Sequence, residues 1–313
     1  MILPAVNRKE TYRNRLCKDL KKNWMAYAIV LPVLAFYLIF RYKPMYGVII
    51  AFKDFSARKG IIGSPWIGFD NFVSFFSSFY FWRLIKNTLA ISFSSLIFGF
   101  PAPIIFALLL NEVRNTTFKK TVQTISYMPH FISIVVVCSL IRLFTSSGGM
   151  IVQFLTLLGY HGRFDMLNNS DFFVPIYVVS GIWQNTGWNC IIYLSALAGI
   201  NPELYEAAFI DGANRWKQTL YVTLPGILGT ILLLLILRIG QLMSVGYEKI
   251  ILLYNEGIFD KADVISTFVY RRGLIQGDYS YSTAIGLFNS LINLILVLTA
   301  NKVSKKTFDL GLW

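Results

Sequence analysis

This sequence predicts an all-α integral membrane protein with six transmembrane helices, and three observations carry that prediction. Of 313 residues, 55% are apolar and only 14% charged, where soluble domains carry roughly 25% charged residues. Six runs contain no Asp, Glu, Lys or Arg: 23–40, 87–111, 121–141, 172–202, 218–237 and 279–301. A helix needs ~20 residues to cross about 30 Å of hydrocarbon, and five of the runs meet that length. The first is the shortest and reaches it with Arg41 snorkelling toward the headgroups. Third, the stretch ahead of the first run is densely basic, as the cytoplasmic flank of a first span is. A soluble chain with this pattern would need six buried helices and would have almost no surface.

In chain order, residues 1–23 form a cytoplasmic tail carrying Arg8, Lys9, Arg13, Arg15, Lys18, Lys21 and Lys22. The apolar run that follows ends at Arg41-Tyr-Lys without a small-residue cleavage site, so it is no signal peptide. Residues 24–301 then form one transmembrane domain, and six spans return the tail 302–313 to the cytoplasm. The polar segments 112–120 and 201–223 fall on the same side. Outside lie 41–86, 142–171 and 248–278. The aromatic-dense part from Trp66 to Trp82 suits an amphipathic segment at the membrane interface. Ser146-Ser-Gly-Gly149 is the flexible part of the second outer loop. Pro101 and Pro103 inside span two are tolerated where neighbours or water satisfy the freed carbonyls. The net charge of +13 reads as a topology and anionic-lipid signal, with no nucleic-acid partner.

Several chemistries find no support. Cys17, Cys138 and Cys190 are too scattered for a zinc site or a disulfide framework, and His130 and His161 stand on separate segments. His130, after Met128-Pro129, suits capping or packing at the start of span three. No GxxxxGK[ST] phosphate loop occurs, so the chain is not its own ATPase. No catalytic residue, metal or resident cofactor is expected, and energy must come from another subunit or an ion gradient.

One segment carries a motif. Residues 205–225 read YEAAFIDGANRWKQTLYVTLP between two apolar runs. Asn201 suits an N-cap, Pro202 a first helical position, and Glu203 and Glu206 the positive end of that helix. Ala207 and Ala208 let a partner backbone come close, Asp211 leads into a turn, and Gly212 supplies φ > 0. A second short helix follows from about Ala213 until Leu224-Pro225 opens the next span. The order Glu206-Ala207-Ala208, three residues, Gly212, nine residues, Val222, one residue, Leu224-Pro225 resembles the EAA loop of ABC importer permeases. The departure is Val222 for isoleucine, which keeps a β-branched apolar residue.

That resemblance implies a type I ABC importer permease fold with both termini in the cytoplasm, and a loop at 201–223 that docks on an ATPase. LRIGQLMSVGYEKIILLYN (237–255), ADVISTFVYRRGL (262–274) and SPWIGFDNF (64–72) narrow it. They look like permeases for complex oligosaccharides and polysaccharides in the maltose-type group. The implied partners are a second, non-identical permease, two ATP-binding cassette subunits that hold the ATP, and an extracytoplasmic solute-binding protein. The implied place is the cytoplasmic membrane of a prokaryote. A secondary carrier for a sugar or other polar solute is the alternative, and would want intramembrane carboxylates or inverted repeats.

Candidate pathway residues follow from polarity inside spans. Arg238 lies 13 residues past Pro225, about 20 Å along a helix and near mid-membrane. With no Asp or Glu in any run, water, substrate, backbone carbonyls or a second subunit must satisfy it; pinning helices is the rival role. Gln241 is three residues on. Trp183, Gln184 and Asn185, followed by Trp188 and Asn189, pair stacking faces with amides as a sugar path would, or simply pack. Asn289 and Asn293, spaced i, i+4, line a path or act as polar glue between helices.

Overall fold

The computed structural model describes residues 18–159 and 165–313. The tail positions Arg8 to Arg15, Cys17 and His161 lie outside them. The described chain is helical, with one isolated bridge between Lys53 and Trp66. Its helices are α1 (Trp24–Phe52), α2 (Asp70–Phe76), α3 (Phe81–Glu112), α4 (Thr116–Tyr127), α5 (Ile134–Leu157) and α6 (Ser170–Ala198). They continue as α7 (Pro202–Ile210), α8 (Arg215–Gly226), α9 (Leu228–Ile239), α10 (Tyr247–Leu253), α11 (Ile265–Tyr270) and α12 (Tyr279–Phe308).

Four of these, α1, α3, α5 and α12, are long and apolar enough to cross a membrane. A fifth span counts if α8 and α9, bent by 61°, are one crossing. The remaining apolar run, 172–202, folds as α6, a 29-residue helix whose hydropathy is lowered by Gln184, Asn185 and Asn189. It packs among α3, α4 and α9, and the three amides face the central cavity. By contrast the first part of α1, Trp24–Tyr37, is apolar on every side and buries nothing within the chain, the pattern of a helix facing lipid or another subunit, while its last part, Tyr46–Phe52, packs on α12 and buries Ala51.

Proline accompanies three of the four π-turns among the described residues, the one at Arg271–Ile275 having none. Its missing N–H removes a helix hydrogen bond and its ring clashes with the carbonyl four residues back; Pro32 and Pro175 are carried inside α1 and α6 without such a turn. Pro44 follows a π-turn at Leu38–Tyr42, Pro101 one at Ser95–Gly99, and Pro225 lies just past one at Thr219–Thr223. In each case the carbonyl at i−4 (Phe40, Ile97 or Tyr221) falls inside the wider turn, which makes room for the ring. So α1 runs past Arg41 and Lys43, where the sequence alone suggested an end.

Three expectations about span limits need correction. Residues 121–141 are not one helix: Met128–Phe131 forms a 3-10 turn at Pro129 that separates amphipathic α4 from α5. The long apolar helix is displaced to 134–157. Ser146–Gly149 is consequently a tight turn within α5 rather than the loose part of an outer loop. The Gly149 N–H donates to the Ser146 carbonyl at 2.8 Å, and a Cβ at Gly149 would collide with the Leu143 and Phe144 carbonyls. Finally, 248–253 is not loop but the body of α10, packed on α5.

The loop-bearing end of the bundle, where α3 and α6 begin, is tied by charge. Asp263 is wholly buried, and Arg271 grips its carboxylate with Nη1–Oδ1 at 2.9 Å and Nη2–Oδ2 at 2.8 Å. Arg83 of α3 approaches at 3.4 Å, and the Thr267 hydroxyl donates at 2.8 Å. Asn87 donates to the Asp263 backbone carbonyl at 2.9 Å. At α6, Lys261 pairs with Asp171, whose carboxylate holds the lysine ammonium above its usual range. Removing the buried anion would strand two guanidinium groups. Asp263→Ala is expected to cost about 3–5 kcal/mol and to lower the melting temperature in detergent markedly; an unchanged melting curve would refute that role.

Candidate functional site: a central cavity and an exposed joint

The joint is built by local rules. Asn201 caps α7 by accepting from the Glu203 N–H at 3.1 Å, with Pro202 in the first turn. The helix ends where the Gly212 N–H bonds the Phe209 carbonyl at 3.0 Å and the Ala213 N–H bonds the Ala208 carbonyl at 2.9 Å. This closure needs a left-handed residue, and Gly212 has φ +75°. Asn214 then caps α8, accepting from the Lys217 N–H at 2.9 Å. Tyr205 and Thr223 share a hydrogen bond of 3.1 Å that ties the two helices together. Glu206, Ala207, Asp211 and Gly212 are all exposed and Ala208 is half-buried. Leu224 and Pro225 do not open a span but belong to α8, and the bend follows at Ile227.

The cavity, of about 870 Å³, lies between α3, α6, α9 and α10. Residues spaced three or four apart on α6 form one wall: Tyr177, Gly181, Gln184, Asn185, Asn189 and Ile192. His130, on the turn before α5, stacks on Trp188 with ring centres 4.8 Å apart and planes at 2°. Its Nδ1 donates to Asn185 Oδ1 at 3.1 Å, and Asn185 in turn donates to the Gly181 carbonyl at 3.0 Å. This close crossing depends on Gly187, where a Cβ would run into the Ser126 backbone of α4. Thr186 also lines the cavity, and its hydroxyl is buried without a hydrogen-bond partner among the described residues.

The far wall hangs from the irregular turn between α9 and α10. Its backbone is satisfied by side chains: the Met243 N–H donates to Asn293 Oδ1 at 3.0 Å, and Ser266 donates to the Val245 carbonyl at 2.7 Å. Ser92 donates to the Leu242 carbonyl, and Asn293 Nδ2 donates to the Ser244 hydroxyl at 2.8 Å. On the cavity side this wall presents Arg238 from the last turn of α9, Gln241 from the irregular turn itself, and Tyr247, Glu248 and Lys249 from α10.

Of the sequence candidates, Arg238, Gln241, Gln184 and Asn185 therefore meet at one cavity. Trp183 does not: it falls between the lining positions of α6 and is half-exposed elsewhere. Asn289 and Asn293 do not line it either, and Asn293 acts as glue on the turn. Because the helix begins at Leu228 after the bend, Arg238 is about 15 Å along it rather than 20 Å, in the last turn of α9. His130, Thr186, Tyr177, Tyr247, Glu248 and Lys249 were not legible as pathway residues. The one available signal was a lysine followed directly by Ile250-Ile251-Leu252-Leu253.

A bent helix pair, a polar cavity inside an apolar bundle and an exposed two-helix joint define a membrane transport subunit. Residues 99–308 match the family described as binding-protein-dependent transport system inner membrane component, and the chain belongs to that family. Among its relatives are two proteins of Bacillus subtilis (strain 168). Protein LplB is 44% identical over 94% of this chain and 92% of its own length. The polygalacturonan/rhamnogalacturonan transport system permease protein YteP is 43% identical over 99% and 96%. A crystal structure of a bacterial ABC transporter involved in the import of the acidic polysaccharide alginate contains a chain 47% identical to this one. It superposes with a TM-score of 0.86, covering 94% of this chain and 99% of that one. A second structure, of a bacterial alginate ABC transporter with an alginate pentasaccharide-bound periplasmic protein, gives 46% identity, a TM-score of 0.87, and 95% and 100% coverage. The chain is thus a membrane-embedded permease subunit, not an enzyme.

Gly187→Val tests how the cavity wall is built. The added carbons would push α4 away from α6 and break the His130–Asn185 bond. Uptake by the assembled transporter is expected to fall at least about 10-fold while the chain remains in the membrane; normal uptake would show that the crossing has slack.

Proposed function

We propose that this chain is half of the translocation pathway of an ATP-driven importer for an oligosaccharide or polysaccharide. In this reading α1, α3, α5, α6, the bent α8–α9 pair and α12 are six spans, and an even number leaves both termini in the cytoplasm. Residues 1–23 and 302–313 are then cytoplasmic tails around a single domain, 24–301. A second, non-identical permease supplies the other half, two ATP-binding cassette subunits hold the ATP, and a solute-binding protein delivers the sugar. The names of YteP and of the alginate transporters support a sugar cargo, and a cavity of amides beside aromatic rings suits one.

The observation that carries the coupling role is the exposure of the joint. Phe209 is 75% and Ile210 83% exposed, with Trp216 and Tyr221 also out in solvent. Large apolar side chains clustered on an otherwise polar loop mark a protein contact. Ala207 and Ala208 let an ATPase backbone approach, and Glu206 offers it a charged hydrogen-bond acceptor. A push on α7 passes to α8 through the Tyr205–Thr223 bond and the turn at Gly212. It then reaches α9 across the bend at Ile227, where Gly226 packs closely on Ile200. Arg238 and Gln241 ride at the far end of that lever, so ATP-driven movement of the joint changes the cavity.

Two experiments test this. At Gly212 a Cβ would meet no atom within 4 Å, so Gly212→Val is penalised by backbone conformation alone, at roughly 1–2 kcal/mol. Gly212→Val and Glu206→Lys are expected to yield membrane-inserted chains that bind the ATPase poorly and lose most uptake, measured in the same vesicles. Normal uptake by both would make the segment an ordinary loop. Separately, the purified complex is expected to contain one copy of this chain with a different permease, counted by native mass spectrometry. Two copies and no second permease would contradict the heteromeric reading.

A further inference from the structure

Past Phe308 the chain turns back onto α12. Asp309 takes a left-handed conformation, φ 55° and ψ 24°, with its N–H on the Lys305 carbonyl at 3.1 Å. The backbone then reverses and runs along the helix it has just left. The Ser304 hydroxyl donates to the Leu310 carbonyl at 2.7 Å, and the Leu312 N–H donates to Asn301 Oδ1 at 2.8 Å. Lys305 donates to the Trp313 carbonyl at 3.4 Å. Asn301 and Ser304 are both buried. A Cβ at Gly311 would come within 2.9 Å of Asn301 Oδ1, so the returning backbone lies directly on α12.

This hook brings Trp313 back along the helix. From Phe308 to Asn301 is seven residues, about 10 Å of helix, and Asn301 is where the uncharged run 279–301 ends. Trp313 is exposed there, as are Phe308 and Leu310. Lys302, Lys305 and Lys306 follow at once, spaced i, i+3 and i+4 and therefore on one face of α12. All three are exposed and make no ion pair among the described residues. Asp309 is the single carboxylate between 279 and 313, and it forms no ion pair with them. A long apolar helix thus leaves the hydrocarbon at a point where an indole and three ammonium groups are presented together. Indole rings settle at headgroup level, and lysines extend their ammonium groups toward phosphates. Lipid surrounds these groups unless another subunit displaces it.

We propose that the hook and the lysine face of α12 form a binding site for the headgroup of an anionic phospholipid. Its phosphate accepts from Lys302 and Lys306, whose ammonium groups bond nothing among the described residues. Lys305 holds the hook closed, and the Trp313 indole rests beside the glycerol and the upper acyl carbons. The site needs only that α12 spans the membrane; it does not depend on the cargo or on the coupling role of the joint.

The test uses the full purified importer in liposomes that carry a trace of photoactivatable phosphatidylglycerol or of photoactivatable phosphatidylcholine, with the reactive group near the glycerol. Labelled peptides are mapped by mass spectrometry. Labelling of residues 301–313 is expected to be at least about 10-fold stronger with phosphatidylglycerol, as two lysines at an anionic surface can supply. Lys302→Gln together with Lys306→Gln changes only exposed side chains and should abolish that preference. Asn301→Ala, which frees the hook and keeps every lysine, should lower phosphatidylglycerol labelling about 3-fold or more, the worth of one hydrogen bond. Trp313→Ala should lower it likewise, and decides the role of the hook if Asn301→Ala does not assemble. Equal labelling by the two lipids overturns the headgroup site. A preference that survives loss of Lys302 and Lys306 overturns their assignment, and undiminished labelling of the hook variants overturns the part given to the hook. Competition by inorganic phosphate at constant ionic strength would make this a free-anion site and overturn the lipid. No label from either lipid means that a protein subunit covers these residues, and overturns the proposal as well.

Discussion

Backbone amides without partners have no place inside an apolar bundle, and the cavity depends on how one irregular turn meets that constraint. Between α9 and α10 the chain leaves helical geometry in the middle of the molecule. Ser92 from α3, Ser266 from α11 and Asn293 from α12 supply its missing partners. Non-helical backbone at membrane depth is tolerated where it is buried in protein or lines a water-filled space; here both conditions hold. The three bonds fix the turn to three separate elements, which is why Arg238, Gln241 and Lys249 face the same void.

The same constraint governs proline. Each of Pro44, Pro101 and Pro225 would break a regular helix, and each is accommodated by a π-turn just ahead of it. At Pro225 the accommodation falls next to a 61° bend, so α8 and α9 meet at an angle. A straight span would carry an axial push directly through the bundle. In the proposed coupling, an angled pair would turn the same push into a swing of α9, whose far end borders the cavity.

Apolar burial cannot hold such a bundle together by itself, because lipid tails are as apolar as leucine. Close backbone approach and polar bonds do more. Gly187 brings α4 against α6, and Asp263 draws α3 and the segment around α11 onto one carboxylate. The polar groups are thus sorted by purpose. Asp263, Asn293 and the serines are satisfied inside the chain, while Arg238 and part of Lys249 are left facing the cavity.

Local chemistry was legible in the sequence. Helix content, the apolar runs and the joint at 201–223 depend on neighbours within a turn or two, and the caps at Asn201 and Asn214 and the left-handed Gly212 appear as their residue types require. Arg238, Gln241, Gln184 and Asn185 were visible because polar groups stand out in apolar runs. What only the tertiary structure decided is which of those polar groups share a space. Asn293 and Arg238 look alike in sequence, yet one serves the backbone of a distant turn and the other faces the cavity. Lys249 read as loop because its burial comes from α5 and α6, over seventy residues away, and no local spacing encodes that contact. The start of α5 and the bend at Ile227 were likewise hidden, because a proline permits a break, and only the packing of neighbouring helices determines whether the chain takes it.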